Sequence, residues 1–160
     1  MGLDITAMRK LRVAKEPVFD EDGQVEDFDT QWKPGASMEW SESVFPGRGE
    51  GVDANTVYEW EDSFSFRAGS YSGYGMWRRE LEKFKGNVAF QELIDFADNE
   101  GVIGSVVAKK LFKDFTDYEN DAEEYSKNVA DSDGEWFIRQ YRNWKKAFGL
   151  ASDNGAVEFH

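Results

Sequence analysis

The chain has 160 residues, of which 40% are apolar, 16% aromatic and 32% charged, and its formal net charge at pH 7 is −13. This composition is too aromatic for a disordered segment, and one domain of this length buries roughly 70% of its unfolded surface. With no cysteine and one histidine, the chain lacks the ligands and nucleophiles of disulfide frameworks, thiol enzymes and Cys/His zinc sites. We therefore predict a single globular domain over residues 1–160.

Alternation of apolar and polar residues predicts strands in the first 70 residues. Residues 3–13 alternate and predict the first strand. Asp22-Gly23 stands between two short apolar runs and is typical of a tight hairpin turn. Residues 38–41 and 58–66 also alternate and predict two more strands, although the second of these segments also fits a helix capped by Asp53.

Helical spacing replaces alternation after residue 70. Ser70 is a suitable N-cap for a first helix that ends near residues 85–87, and a second helix follows over residues 90–97. Residues 105–129 predict a third helix, the longest of the set.

A fourth helix and a last strand complete the pattern. Ser132-Asp133-Gly134-Glu135 has capping-box spacing, and the helix that follows is expected to turn Phe137, Tyr141, Trp144 and Phe148 inward. A turn at residues 153–155 leads into a strand over residues 156–160. The whole pattern predicts an α+β fold, in which a small, mainly antiparallel sheet from the N-terminal half plus the C-terminal strand packs against about four helices.

The negative charge is concentrated in one segment. Residues 16–62 carry fourteen acids and two bases, whereas residues 1–15 have a net charge of +3 and residues 63–160 a net charge of −4. Such a surface repels nucleic acid and attracts a basic protein or a cation, although surface acidity also serves solubility alone. The candidate partner-binding residues in this segment are Asp20, Glu21, Asp22, Glu26, Asp27, Asp29, Trp32 and Trp40.

The acidic run invites a calcium interpretation, which its spacing does not support. With Gly23 at the sixth position of an EF-hand loop, Val18 falls on the first ligand position and Asp29 where a bidentate Glu belongs. We predict no metal site and no cofactor.

A second candidate site is the turn from Arg67 to Gly75, which leads from an aromatic strand into the first helix. Small residues let backbone amides approach a ligand, and a helix N-terminus attracts anions such as phosphate. The candidate ligand-binding residues are Arg67, Ser70, Tyr71, Ser72, Tyr74 and Arg78, with Arg48 from the glycine-rich segment 45–51. The alternatives are a plain strand-to-helix turn, and an Arg48 that pairs with a neighbouring carboxylate.

The chain carries no catalytic signature. Asp95 and Asp98 share a helix face near Glu100 and would suit acid/base work, but a solvated face explains them as well. His160 is the only histidine, and we predict it to be structural or exposed. The longest apolar stretch, residues 102–108, is far shorter than the ~20 residues of a membrane-spanning helix, and no basic-then-apolar leader opens the sequence. These features favour a cytosolic protein with no membrane association.

Five short segments of the sequence carry a resemblance, namely Met1-Gly2-Leu3-Asp4-Ile5-Thr6-Ala7, residues 66–74, Trp77-Arg78, residues 96–104 and residues 155–160. They resemble segments of small uncharacterised acidic proteins encoded by tailed bacteriophages and prophages. The resemblance spans the chain and implies a setting, the bacterial cytoplasm during infection, without an activity or site residues.

Three hypotheses of function follow. The leading one is a non-enzymatic binding protein that inhibits a basic host or defence component. The second is a protein that binds or sequesters a nucleotide or phosphorylated metabolite at the Arg67–Tyr74 turn. The third is a structural or assembly role in the virion.

Overall fold

A four-stranded antiparallel sheet organises the chain, which the computed structural model describes over residues 2–96, 100–129 and 131–160. The strand order is β4-β1-β6-β5, and β2 pairs with β3 in a separate two-stranded ladder. The strands are β1 Gly2–Arg9, β2 Arg12–Val13, β3 Tyr58–Glu59, β4 Asp62–Ser70, β5 Gly101–Gly104 and β6 Ala156–Phe159. The predicted α+β class and the C-terminal strand in the sheet are confirmed.

The structure describes six helices, namely α1 Gly35–Val44, α2 Tyr71–Lys85, α3 Gln91–Ile94, α4 Ser105–Asp117, α5 Glu119–Asn128 and α6 Asp131–Ala151. Helices α2 to α6 contribute buried residues to the core on one face of the sheet. Helix α6 contacts β1, β4 and β6, and it also packs against α4 and α5. Helix α1 lies apart from this layer and contacts β5.

Alternation along the strands gives the sheet two different faces. On the helix-packed face, Leu3, Ile5 and Ala7 of β1 are fully buried together with Val157 and Phe159 of β6. The inward residues of α6 meet them, as expected from their helical spacing. This aromatic core includes the rings of Phe137, Tyr141, Trp144 and Phe148, all fully buried.

The opposite face carries a second, smaller apolar cluster at one end. Met8, Leu11, Met38, Val102 and Ala156 are buried there. The rings of the tryptophans at positions 32 and 60 pack against this cluster and are only partly buried. The rest of this face is polar and is described below.

The local signals around α2 and β6 are confirmed. The hydroxyl of Ser70 accepts a hydrogen bond from the Gly73 amide at 3.0 Å, and α2 ends at Lys85 with Gly86 as its C-cap. Asn154 adopts a left-handed conformation, with φ of 50°, at the turn into β6. The segment 58–66 lies in two strands, β3 and β4, which belong to different sheets and are separated by residues 60–61; the helical alternative does not form.

The predicted strand over residues 38–41 is wrong, because this segment lies in α1. Met38 and Ser41 are the buried residues of that helix and are three apart, whereas Trp40 is exposed. Two alternating apolar residues do not distinguish a strand from one turn of a half-buried helix.

The predicted helix over residues 105–129 is two helices that meet at Tyr118. The hydroxyl of Thr116 bonds back to the Phe112 carbonyl at 2.8 Å, a contact that often bends a helix. The bend lets α4 and α5 both pack against α6. The longest helix is therefore α6, with 21 residues, and not the third segment.

Two further boundaries differ from the predictions. The helix expected over residues 90–97 is the single turn α3, since Phe90 is left-handed with φ of 66°, and residue 97 lies outside the described residues. Gly101, which follows this turn in the chain, begins β5 with φ of 147°. The first strand also stops early, because Lys10 has φ of 51° and diverts residues 12–13 to pair with β3.

Candidate functional site

The acidic loop, residues 20–30, is a hairpin-like excursion above the polar part of the sheet. Its turn forms as the Asp22-Gly23 pair predicted: Gly23 has φ of 76°, and Phe19 bridges to Val25. One oxygen of Asp20 accepts the amides of Asp22 and Gln24 at 2.9 and 2.8 Å. The carboxylate of Asp20 thus stabilises the turn.

The carboxylates of the acidic loop face solvent without cationic partners. All six predicted partner-binding acids are exposed, and none takes part in an ion pair with any residue the structure describes. Exposed apolar side chains lie in and beside the loop: Val18 is 59% exposed, Phe19 45% and Phe28 78%. A surface that combines unpaired acids with exposed aromatic rings is therefore present where the sequence placed the charge.

The two tryptophans expected beside these acids behave differently. Trp40 is 44% exposed on α1. Trp32 is partly buried, its ring packs at 6.1 Å from that of Tyr58, and its indole N–H donates a hydrogen bond to the Glu158 carboxylate. Trp32 therefore ties the end of the acidic loop to the sheet and does not present a free ring to a partner.

The polar face of the sheet lies beneath this loop. It consists of six side chains from three neighbouring strands: Asp4, Thr6, Ser65, Arg67, Glu158 and His160. The Thr6 hydroxyl lies 3.1 Å from the Ser65 hydroxyl and 2.9 Å from Nε2 of His160. Two nitrogens of Arg67 donate to the two oxygens of Asp4 at 2.6 and 2.9 Å.

The space between the polar face and the acidic loop is a cleft of about 900 Å³. Its floor includes Thr6, Ser65, Glu158 and His160. The loop side contributes Asp20, Gln24, Val25, Phe28, Asp29 and residues 31–34. Aromatic side chains form much of the wall, namely Phe28, Trp32, Trp60 and Tyr71. A concave pocket with aromatic walls and a few converging polar groups is the common form of a binding site.

Two carboxyl groups of the polar face have shifted pKa values, in opposite directions. The hydrogen bond from Arg67 is the largest cause that lowers the pKa of Asp4. Burial raises the pKa of Glu158, while the charge of His160 and the hydrogen bond from Trp32 act in the other direction. The hydrogen bond from Arg67 thus stabilises the charged form of Asp4, whereas burial destabilises the charged form of Glu158.

The structure does not bring the residues of the predicted Arg67–Tyr74 ligand site to one surface. Arg67 is held by Asp4, and Tyr74 is fully buried in the core. Arg78 stacks on the Tyr74 ring and donates to the carbonyls of residues 94 and 96. The hydroxyls of Ser70 and Ser72 lie 3.0 Å apart at the cap of α2, and Tyr71 alone of this set lines the cleft.

The glycine-rich segment 45–51 covers the edge of the sheet. The carbonyl of Arg48 accepts the Gly104 amide at 2.8 Å, so this segment shields β5. The Arg48 guanidinium donates through Nε to the Glu92 carbonyl at 3.1 Å. Arg48 therefore binds a backbone carbonyl of α3, and it forms no ion pair with a carboxylate among the residues that the structure describes.

Of the remaining candidate residues, Glu100 and His160 line the cleft. Asp98 lies outside the described residues, so the predicted pair with Asp95 has no structural account. Glu100 lines the cleft, and Asp95 does not. His160, predicted to be structural or exposed, is exposed and forms part of the cleft floor.

Sequence reasoning missed three residues of the cleft floor: Thr6, Ser65 and Glu158. Each stands at a polar position of an alternating strand, which is the signal that was available. Their meeting depends on the pairing of β1 with β4 on one side and with β6 on the other, because Thr6 is opposite Ser65 in one ladder and opposite Glu158 in the other.

Two further findings bear on function. Among the described residues, no helix is long and apolar enough to cross a membrane. No protein family model, curated protein or solved structure matches the chain.

Proposed function

We propose that this chain is a non-enzymatic binding protein whose acidic loop docks on a basic surface of another protein. The observation that carries the proposal is the six unpaired, exposed carboxylates of residues 20–29 beside the exposed rings of Phe19 and Phe28. Given the resemblance to phage-encoded proteins, the partner would be a basic host or defence component that the chain inhibits.

Charge and apolar surface have separate roles in this docking. Unpaired acids steer a basic partner and speed its association, and this contribution weakens as salt rises. Exposed aromatic rings supply the apolar contacts that are typical of the centre of an interface. The small-ligand hypothesis has weaker support, because Arg67 and Arg78 are held within the fold.

The test is capture of partners from a bacterial lysate by the parent chain and two variants of equal net charge. The loop variant is Glu21→Gln, Asp22→Asn, Glu26→Gln and Asp27→Asn. The control variant is Glu82→Gln, Asp95→Asn, Glu124→Gln and Asp153→Asn, four exposed acids that make no ion pair with any described residue.

We expect a basic protein to be retained by the parent and by the control variant, to be released as salt rises, and to be lost from the loop variant. Quantitative mass spectrometry of the captured fractions measures all three effects. Equal capture by the two variants, or capture that is indifferent to salt, would contradict the proposal.

A further inference from the structure

The cleft beneath the acidic loop is not needed to explain attraction of a basic partner, since four of the six loop acids lie outside it. Glu21, Asp22, Glu26 and Asp27 do not line the cleft, whereas Asp20 and Asp29 do. The residues that line the cleft therefore differ from the exposed acids of the loop. Their side chains indicate which chemical group the cleft would bind.

The charged side chains that line the cleft are mostly acidic. They are Asp20, Asp29, Glu100 and Glu158 against Lys33, with the His160 ring beside them. A phosphate or carboxylate would be repelled by this lining. Among the described residues, no three carboxylate or imidazole side chains converge as a metal ion requires. An extended organic cation fits such a spread of acids better than a compact metal ion does.

The floor and walls supply what a cationic side chain needs. Trp32 occupies one oxygen of Glu158, and the other oxygen accepts no hydrogen bond from any described residue. Charge-assisted hydrogen bonds to a carboxylate are stronger than neutral ones. The aromatic walls at Phe28, Trp60 and Tyr71 suit the apolar stem of a lysine or arginine and attract its charge through the ring faces.

We propose that this cleft receives an arginine or lysine side chain of the basic partner, with Glu158 as the residue that meets its charge. This inference rests on the proposed function, because it names the group of the partner that the site recognises. The volume of about 900 Å³ accommodates such a side chain together with adjoining backbone of the partner.

The experiment uses a short peptide and so does not require the partner. Acetyl-Gly-Arg-Gly-amide is titrated into the intact chain while the indole N–H signals of Trp32 and Trp60 are followed by NMR. The matched ligand replaces arginine by citrulline, which has the same shape without the charge. The variants are Glu158→Gln and Asp29→Asn, with Glu124→Gln as a control for net charge.

We expect the arginine peptide to shift both indole signals and to bind at least tenfold more tightly than the citrulline peptide. Glu158→Gln should weaken its binding by about tenfold or more, since a hydrogen bond to a charged group is lost. Asp29→Asn, at an exposed position, should weaken it by up to about fivefold. Glu124→Gln should leave the affinity unchanged.

The inference is overturned by equal binding of the citrulline peptide or by an equal loss of affinity in Glu124→Gln. It is also overturned by tighter binding of free spermidine than of a lysine or arginine peptide, which would make the ligand a free polyamine. If Glu158→Gln leaves peptide binding intact while the loop variant loses the captured partner, the cleft inference fails and the proposed function stands. If peptide binding depends on Glu158 while both charge variants capture alike, the proposed function fails.

Discussion

The two faces of the sheet differ in composition although the same strands build both. On the helix-packed face, Leu3, Ile5 and Phe159 are fully buried under α6. On the opposite face, one residue further along the same strands, Thr6 and Glu158 are only partly buried and line the cleft. The face under α6 and its neighbouring helices is therefore the apolar core, while the face beneath the loop stays polar and lines a cleft.

The two faces of the sheet differ because helices cover one face and a charged loop covers the other. A helix with an apolar stripe removes side chains from water, which stabilises the fold by about 25 cal/mol per Å² of apolar surface. A loop of charged residues does not bury apolar surface in this way. The ion pair between Arg67 and Asp4 on this face stays exposed and contributes little to stability.

The largest effect is expected from truncation of the helix-packed core. Trp144→Ala removes a fully buried ring that contacts Phe66, Phe148 and Phe159, and should lower the free energy of unfolding by about 3–5 kcal/mol. Urea denaturation measures the change. Trp40→Ala, at a 44% exposed ring on α1, is the control and should cost about 1 kcal/mol or less. Similar losses at the two positions would contradict the assignment of stability to the helix-packed face.

A smaller effect is expected from one buried polar contact on the same side. The Tyr141 hydroxyl donates to the Phe115 carbonyl at 2.7 Å, where α6 meets α4. Tyr141→Phe keeps the ring and removes this bond, so the free energy of unfolding should fall by about 1 kcal/mol. The same denaturation experiment measures it, and an unchanged midpoint would show that water replaces the hydroxyl.

Replacement of the loop should affect stability less than either core change. A glycine-serine segment of equal length in place of residues 20–30 removes six like charges and the exposed ring of Phe28, and keeps Trp32 on Glu158. We expect a change in the free energy of unfolding within about 0.5 kcal/mol, together with loss of partner capture. A loss as large as that of Trp144→Ala would show that the loop belongs to the core.

The smallest effects are expected from two substitutions on the polar face that change the free energy of unfolding in opposite directions. Burial raises the pKa of Glu158 in the folded protein, so the charged form of this side chain destabilises the folded state at neutral pH. Glu158→Gln should therefore be slightly more stable than the parent at neutral pH. Because Arg67 lowers the pKa of Asp4, the carboxylate favours folding above the ordinary pKa of an aspartate, and Asp4→Asn should be slightly less stable.

Thermal unfolding at neutral and acidic pH tests this pair. Below the ordinary pKa of a glutamate, both the folded and the unfolded state hold the proton of Glu158, so the advantage of Glu158→Gln should disappear. The stabilising effect of Asp4 is lost as the pH falls through its lowered folded-state pKa. Differences that do not depend on pH would show that packing, and not charge, separates the variants.

Part of the candidate site could be predicted from the sequence. The acidic loop and its Asp22-Gly23 turn follow from local composition, because neither needs a distant partner. The cleft could not be predicted, since Thr6, Ser65 and Glu158 meet only through strand pairing across more than half the chain. Trp32 was assigned to the partner surface for the same reason: nothing near it in sequence indicates that its indole reaches Glu158.

The sequence by itself determined the class of the fold, the inward residues of α6 and the segment that holds the negative charge. Hydrophobic periodicity and turn-forming residues are local properties of the sequence, and they do not depend on contacts with distant segments. Only the tertiary structure decided that Met38 lies in a helix, that residues 101–104 form an edge strand, and that a polar face lies beneath the acidic loop. These outcomes depend on which distant segments pack together, and burial by a distant segment can override a short local pattern.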